Sequence, residues 1–224
     1  MGGRIHRDVI VDPLPPLLGK IKVGVKSQGG YPMSTDYFVP SGKYAPLFTE
    51  VYGEKPDSIL IYFPSDNPEL VCNEAYVYRD NAGRKIAEGD GETFWVYSEK
   101  TQARVRVTSE QMPDIMERIK TKYPSKNGWQ VTLTLKFVLP MVNRIYGVWE
   151  FQTKGAASSI PQIRDCFDAM LAKNGKIEGV LCDLNVKFAK SDSPKASRYP
   201  VVSLIPNETE ANLSKIQSLK MLGQ

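Results

Sequence analysis

The sequence is poor in the residues that most catalytic and metal sites require. It has one histidine, His6, and three widely spaced cysteines, Cys72, Cys166 and Cys182. A histidine-based zinc site, a Ser-His-Asp triad or a Cys-His dyad would each depend on His6. The sequence also lacks a Gly-rich phosphate loop, a Gly-x-Ser-x-Gly motif and a closely spaced cysteine pair. We therefore expect no enzyme activity, no cofactor and no metal, and we interpret the cysteines as buried thiols.

Long hydrophobic runs are absent as well. No apolar run of about 18 residues occurs, as a membrane-spanning helix would need. The first residues, MGGRIHRDVIVDPLPP, lack the apolar core of a secretion signal. We therefore expect a cytoplasmic protein without a membrane partner. The 42% hydrophobic and 24% charged residues are typical of a globular protein with a packed core.

Charge is distributed unevenly along the chain. The net charge is +3 over residues 1–35, −7 over residues 36–99 and +8 over residues 100–224. A basic segment of this kind is typical of a protein with an anionic partner. The acidic segment could face solvent or shield the basic surface.

The pattern of apolar residues predicts a chain dominated by β-strands. The run GKIKVGVKS places Ile21, Val23 and Val25 on one face of a strand. Further strands are predicted in STDYFVP, SILIYFP, ELVCNEAYVYRD, GRKIAEG, TFWVYS, ARVRV, WQVTLTLKFVLP, IYGVWEFQTKG, GVLCDLNVKFAK and RYPVVSLIPN. The fold class is therefore α+β, a β-dominated antiparallel sandwich or partly open barrel with about three peripheral helices.

Helices are predicted where the apolar period changes and capping residues occur. The main ones are expected at residues 109–122, 158–173 and 208–221, with a shorter helix in YAPLFTEVYG. For the first of them Ser109 is the predicted capping residue. The prolines of DPLPPLLG predict an extended arm over residues 1–18. Residues 19–224 are predicted to form a single domain, either undivided or built from sub-lobes 19–126 and 127–224.

Two local features have a structural interpretation. Trp149 lies in an alternating strand that precedes a helix, and the apolar side of that helix must pack against another element. We therefore expect Trp149 to be buried. Glu88, Asp90 and Glu92 are spaced by two with intervening glycines. Such spacing could serve a cation site, but a polar hairpin turn is favoured because a calcium loop needs more oxygen ligands.

Basic residues recur beside aromatic residues on the predicted strands. Positive charge attracts phosphates, and exposed rings stack on unpaired bases. One row of rings is nevertheless expected in the core, because alternate residues of a strand face opposite sides. The best predicted nucleic-acid-binding cluster is Lys187, Lys190, Lys195 and Arg198, followed by Arg104 with Arg106, and by Lys154.

Several segments also resemble a known family. GVWEFQTKGAASSIPQIRDCFDAML, with IEGVLCDLNVKFAKS and RYPVVSLIPN, resembles the C-terminal part of phage recombination directionality factor-like proteins. The shared features are a strand carrying Gly-Val-Trp, a helix, a strand rich in Leu and Lys, and a final strand after Arg-Tyr. GKIKVGVKS and VPSGKYAPLFTEVYG are similar to the N-terminal part of these proteins. The actinophage members carry a cysteine-rich insert before the Gly-Val-Trp strand, whereas SKNGWQVTLTLKFVLPMVNRI occupies that region here.

The resemblance implies a DNA-associated accessory protein of a phage or integrated element. Its best-known relatives bind a serine integrase and favour excision over integration. Three hypotheses remain open at this point. The chain could be such a recombination accessory protein, a single-stranded DNA-binding protein that works with replication proteins, or a structural protein without nucleic acid.

Overall fold

The computed structural model describes residues 14–27, 29–190 and 198–207. Its strands are β1 (Leu17–Lys26), β2 (Pro32–Ser41), β3 (Ser58–Tyr62), β4 (Cys72–Arg79), β5 (Lys85–Gly89), β6 (Thr93–Ser98), β7 (Ala103–Thr108), β8 (Trp129–Phe137), β9 (Val148–Thr153), β10 (Leu181–Lys190) and β11 (Arg198–Pro206). Its helices are α1 (Ala45–Tyr52), α2 (Pro68–Val71), α3 (Met112–Lys122) and α4 (Ser159–Asn174). No helix in these ranges is long and apolar enough to cross a membrane.

Eight of the strands form one large sheet in the order β2-β1-β9-β8-β4-β5-β6-β7. Neighbours are antiparallel except β1 and β9, which are parallel. The sheet keeps two edges, β2 and β7, and is not closed into a barrel. The predicted β-dominated α+β fold is confirmed, with a mixed sheet instead of a purely antiparallel one.

A second sheet of three strands, in the order β11-β10-β3, packs with α4 over one part of the large sheet. The core between them contains Leu135 and Phe151 of the large sheet, Leu184 of β10, and Phe167 of α4. Trp149 belongs to the same core and is 1% exposed, as predicted. This core also receives residues of α1 and α2, so these helices lie on the same side of the large sheet.

Helix α3 covers the other end of that same side. Met116 and Ile119 of α3 pack on Val96 and Val107 of β6 and β7. A short 3-10 turn over Ser109–Gln111 precedes the helix. The predicted cap at Ser109 is wrong. Thr108 forms a reciprocal capping box with Gln111, because the amide side chain reaches back to the Thr108 backbone N–H.

The other predicted helices agree with the structure to within a residue or two where they can be compared. Helix α4 ends at Gly175, whose φ of 70° is the left-handed conformation that glycine adopts most easily. The start of the predicted strand ELVCNEAYVYRD is wrong, because Asn67 caps α2 by accepting from the Glu69 N–H at 3.0 Å. The predicted helix at 208–221 lies outside the described residues, as do residues 1–13 of the predicted arm. Residues 17 and 18 belong to β1.

The pairing register assigns the side chains of the large sheet to two faces, since residues directly opposite each other in neighbouring strands share a face. Leu133, Leu135 and Phe137 of β8 face the core. Thr132, Thr134 and Lys136 alternate with them and face the opposite side. We call that opposite side the outer face.

Candidate nucleic-acid interface

The outer face is predominantly basic. The register places two carboxylates on it among the paired strand residues, Glu88 and Glu150. The basic residues that the register places there are more numerous: Lys20, Lys22, Arg79, Lys85, Arg104, Arg106 and Lys136. Such an excess of positive charge on one face attracts a polyanion.

At the β7 edge of this face, two aromatic residues lie directly opposite two arginines. Trp95 pairs with Arg106, and Tyr97 pairs with Arg104. Trp95 is 48% exposed and Tyr97 is 37% exposed, so both rings are accessible. We call these four residues the β6–β7 ladder. It combines ring surface for stacking with guanidinium groups for phosphate contact, as in single-strand binders.

The acidic residues near the ladder have structural partners. Glu88 Oε2 accepts from Lys85 Nζ at 2.6 Å and lies 3.5 Å from Arg104 Nη1. Asp90 Oδ1 accepts from the backbone N–H groups of Thr93 at 2.7 Å and Glu92 at 2.9 Å, and these bonds lower the pKa of Asp90. The predicted polar hairpin turn is thus confirmed. Within the described ranges, no group of three or more His, Cys, Asp or Glu residues is placed to hold a metal ion.

Lys154 directly follows β9, and its side chain lies on the outer face beside β8. Its Nζ donates to Gln130 Oε1 at 2.7 Å. Burial lowers the pKa of Lys154, and the positive charge of Arg79 lowers it further. Arg79 itself donates to Gln152 Oε1 at 3.3 Å. Sequence reasoning singled out Lys154 but missed Arg79, because the rings beside Arg79 in YVYR face the opposite side of β4 and the close approach to Lys154 depends on tertiary pairing.

The predicted cluster at the end of the β10–β11 hairpin is only partly assembled. Lys190 lies directly opposite Arg198, so these two share a face. Lys187 lies on the other face of β10, opposite Val201, because its position differs from that of Lys190 by an odd number of residues. Lys195 lies outside the described residues.

Other basic residues of these strands do not share a surface with the rings near them in the sequence. Trp149 and Phe151 belong to the main core, on the opposite face from Lys154. Trp129 packs beside the core under α3, whereas Lys136 of the same strand faces outward. The β6–β7 ladder therefore carries the strongest structural support among the candidate basic–aromatic pairs.

The model of the Gp3-like family, described as recombination directionality factor-like, matches residues 18–207. No curated protein and no solved structure matches the chain. The matched range includes every strand and helix described above except the first residue of β1.

Proposed function

Since the chain belongs to the recombination directionality factor-like family, we propose that it binds DNA through its outer face while it contacts a serine integrase. The family is one of phage accessory proteins related to recombination, without a catalytic role of its own. Membership supports the integrase as partner. The observation that carries DNA binding is the β6–β7 ladder, where two exposed rings of β6 lie opposite two arginines of β7 at a sheet edge.

The arginines and the aromatic residues of the ladder have different roles in this proposal. Arg104 and Arg106 contact backbone phosphates, which position the strand without reading its sequence. Trp95 and Tyr97 supply ring surface that stacks on bases only where a strand is unpaired. Lys190 and Arg198 share a face at the end of the β10–β11 hairpin and supply a second, separate pair of phosphate contacts, whereas Lys187 lies on the other face of β10.

A second candidate function is that of a single-stranded DNA-binding protein of replication. It is favoured by the exposed rings of Trp95 and Tyr97, since a duplex keeps its bases stacked and out of reach of such rings. The two functions differ in DNA form and in partner. A recombination accessory protein acts on duplex attachment sites with integrase, whereas a replication protein prefers a single strand and needs no integrase.

The test is fluorescence anisotropy with single-stranded and duplex oligonucleotides over a range of salt concentrations. The variant is Arg104→Gln combined with Arg106→Gln. The control is Arg118→Gln combined with Lys120→Gln, which removes the same charge from exposed residues of α3 on the opposite side of the sheet. If each arginine contacts one phosphate, the ladder variant makes the negative slope of log K against log salt shallower by about 1.4 to 1.8, and the control leaves it unchanged.

Two outcomes would overturn the proposal. One is a wild-type protein with no affinity for either DNA form at low salt. The other is a ladder variant that binds with the wild-type slope. A recombination assay with the integrase and its attachment sites then separates the two candidate functions, because only the accessory protein changes the ratio of excision to integration.

A further inference from the structure

A polar recess of about 210 Å³ lies at the side of the outer face. Its walls are the turn between β4 and β5, the connection from α3 to β8, and the residue that follows β9. Three basic side chains line it: Arg79, Lys126 and Lys154. We call this recess the basic pocket.

Two of these cations have neutral hydrogen-bond partners. Arg79 donates to Gln152 Oε1 and to the Gly83 carbonyl, both at 3.3 Å. Lys154 donates to the amide oxygen of Gln130. Within the described ranges, no ion pair joins either cation to a carboxylate. Partial burial, and to a smaller extent the charge of Arg79, disfavour the charged form of Lys154, so an anion bound by both cations would relieve an unfavourable arrangement.

The carboxylate in the pocket wall is already neutralised. Asp80 Oδ2 accepts from Arg84 Nε at 2.7 Å, and Asp80 Oδ1 accepts from the Arg84 backbone N–H at 2.8 Å. The Asp80 side chain is only 5% exposed. Because Arg84 pairs with it, Asp80 does not cancel the charge of Arg79 and Lys154.

We infer that the basic pocket binds one phosphate group. A guanidinium fork and an ammonium group are the side chains that recognise phosphate oxygens best. The Ser125 hydroxyl also lines the recess, where it accepts from the Gly128 N–H and can donate its own proton. This inference rests on the proposed function in one respect. Gln130 and Lys154 belong to the outer face, so the phosphate is one of the DNA backbone bound there.

The first arm of the test uses inorganic phosphate alone. Phosphate is titrated at constant ionic strength while NMR follows the backbone amides of Lys126 and Gly128. We expect saturable shifts in the wild type and in Lys154→Arg, which keeps the charge. We expect their loss in Arg79→Gln and in Lys154→Gln. Lys126→Gln should also weaken phosphate binding. Because Lys126 is exposed, this variant does not disturb a partly buried side chain.

The second arm measures DNA binding against salt for the same variants. If Arg79 and Lys154 hold the same phosphate, each single variant makes the negative slope of log K against log salt shallower by about 0.7 to 0.9. The double variant makes it shallower by the same amount rather than by twice as much, because only one phosphate contact is lost. Arg118→Gln on α3 is the control, and far-UV circular dichroism establishes that every variant is folded.

The two arms distinguish failure of the pocket from failure of the proposed function. Phosphate shifts that persist in Arg79→Gln and Lys154→Gln overturn the inference, even if DNA binding depends on the β6–β7 ladder. Phosphate binding that requires both cations, in a protein without affinity for DNA, supports the pocket as a site for free phosphate and overturns the proposed function. Equal slope changes in the single and double variants support both.

Discussion

Trp149 and Trp95 are a matched pair for separating a structural ring from a functional ring. Trp149 is 1% exposed and packs against Phe48, with 6.0 Å between ring centroids. It also fills space left by Gly19, where an added Cβ would lie 2.8 Å from Trp149 Cζ3. Trp95 is 48% exposed on the outer face. The same truncation to alanine should therefore have opposite consequences at the two sites.

The expected magnitudes follow from burial. A buried Trp removes about 150 to 250 Å² from water, which at about 25 cal/mol per Å² corresponds to about 4 to 6 kcal/mol. Alanine retains a small part of this, so Trp149→Ala should lower the free energy of unfolding by about 3 to 5 kcal/mol. Trp95→Ala leaves no cavity and loses only cross-strand contact, so we expect no more than about 1 kcal/mol.

Urea unfolding followed by far-UV circular dichroism measures both values without relying on tryptophan fluorescence. DNA binding provides the reciprocal readout. If Trp95 stacks on one base, its loss costs about 1 to 3 kcal/mol, which is about a five- to 150-fold weaker affinity. The reasoning about the two faces is refuted if the two variants lose equal stability. The stacking role is refuted if Trp95→Ala binds single-stranded DNA within about twofold of the wild type.

Three further predictions concern stability and reactivity. Backbone hydrogen bonds lower the pKa of Asp90, so its carboxylate stabilises the fold above the ordinary aspartate pKa, and this stabilisation is lost as the pH falls through the lowered value. Asp90→Asn should therefore flatten the decline in stability below about pH 4, and an unchanged profile would contradict this. Gly89→Ala should lower the free energy of unfolding by about 1 to 3 kcal/mol in urea titrations, because the added Cβ would lie 2.4 Å from Phe94 Cδ1. An unfolding midpoint equal to that of the wild type would show that the turn relaxes. Burial raises the pKa of the Cys72 thiol to about 12, so a thiol reagent should modify half-buried Cys166 first. Mass spectrometry measures the order of labelling, and faster labelling of Cys72 would contradict the prediction.

The candidate site was predictable only in part. Arg104 and Arg106 could be identified because TFWVYS and ARVRV both alternate, so a hairpin of the two segments places Trp95 and Tyr97 opposite the two arginines. The rings near Lys154 in the sequence do not share its face, because Trp149 and Phe151 lie on the core face of β9. Arg79 carried no sequence signal at all. Its role follows from its position beside the Lys154 side chain, which depends on β8 lying between β4 and β9.

The local structure follows from the sequence for physical reasons that act over a few residues. Strand period, capping residues and glycines such as Gly175 determine where strands and helices run, and the alternation around Trp149 determines that one side of β9 is apolar. Periodicity cannot decide which strands become neighbours or which face of a sheet is covered, because those depend on contacts between distant segments. Tertiary structure alone placed β9 between β1 and β8, put every described helix on one side of the large sheet, and brought Arg79 and Lys154 to one recess.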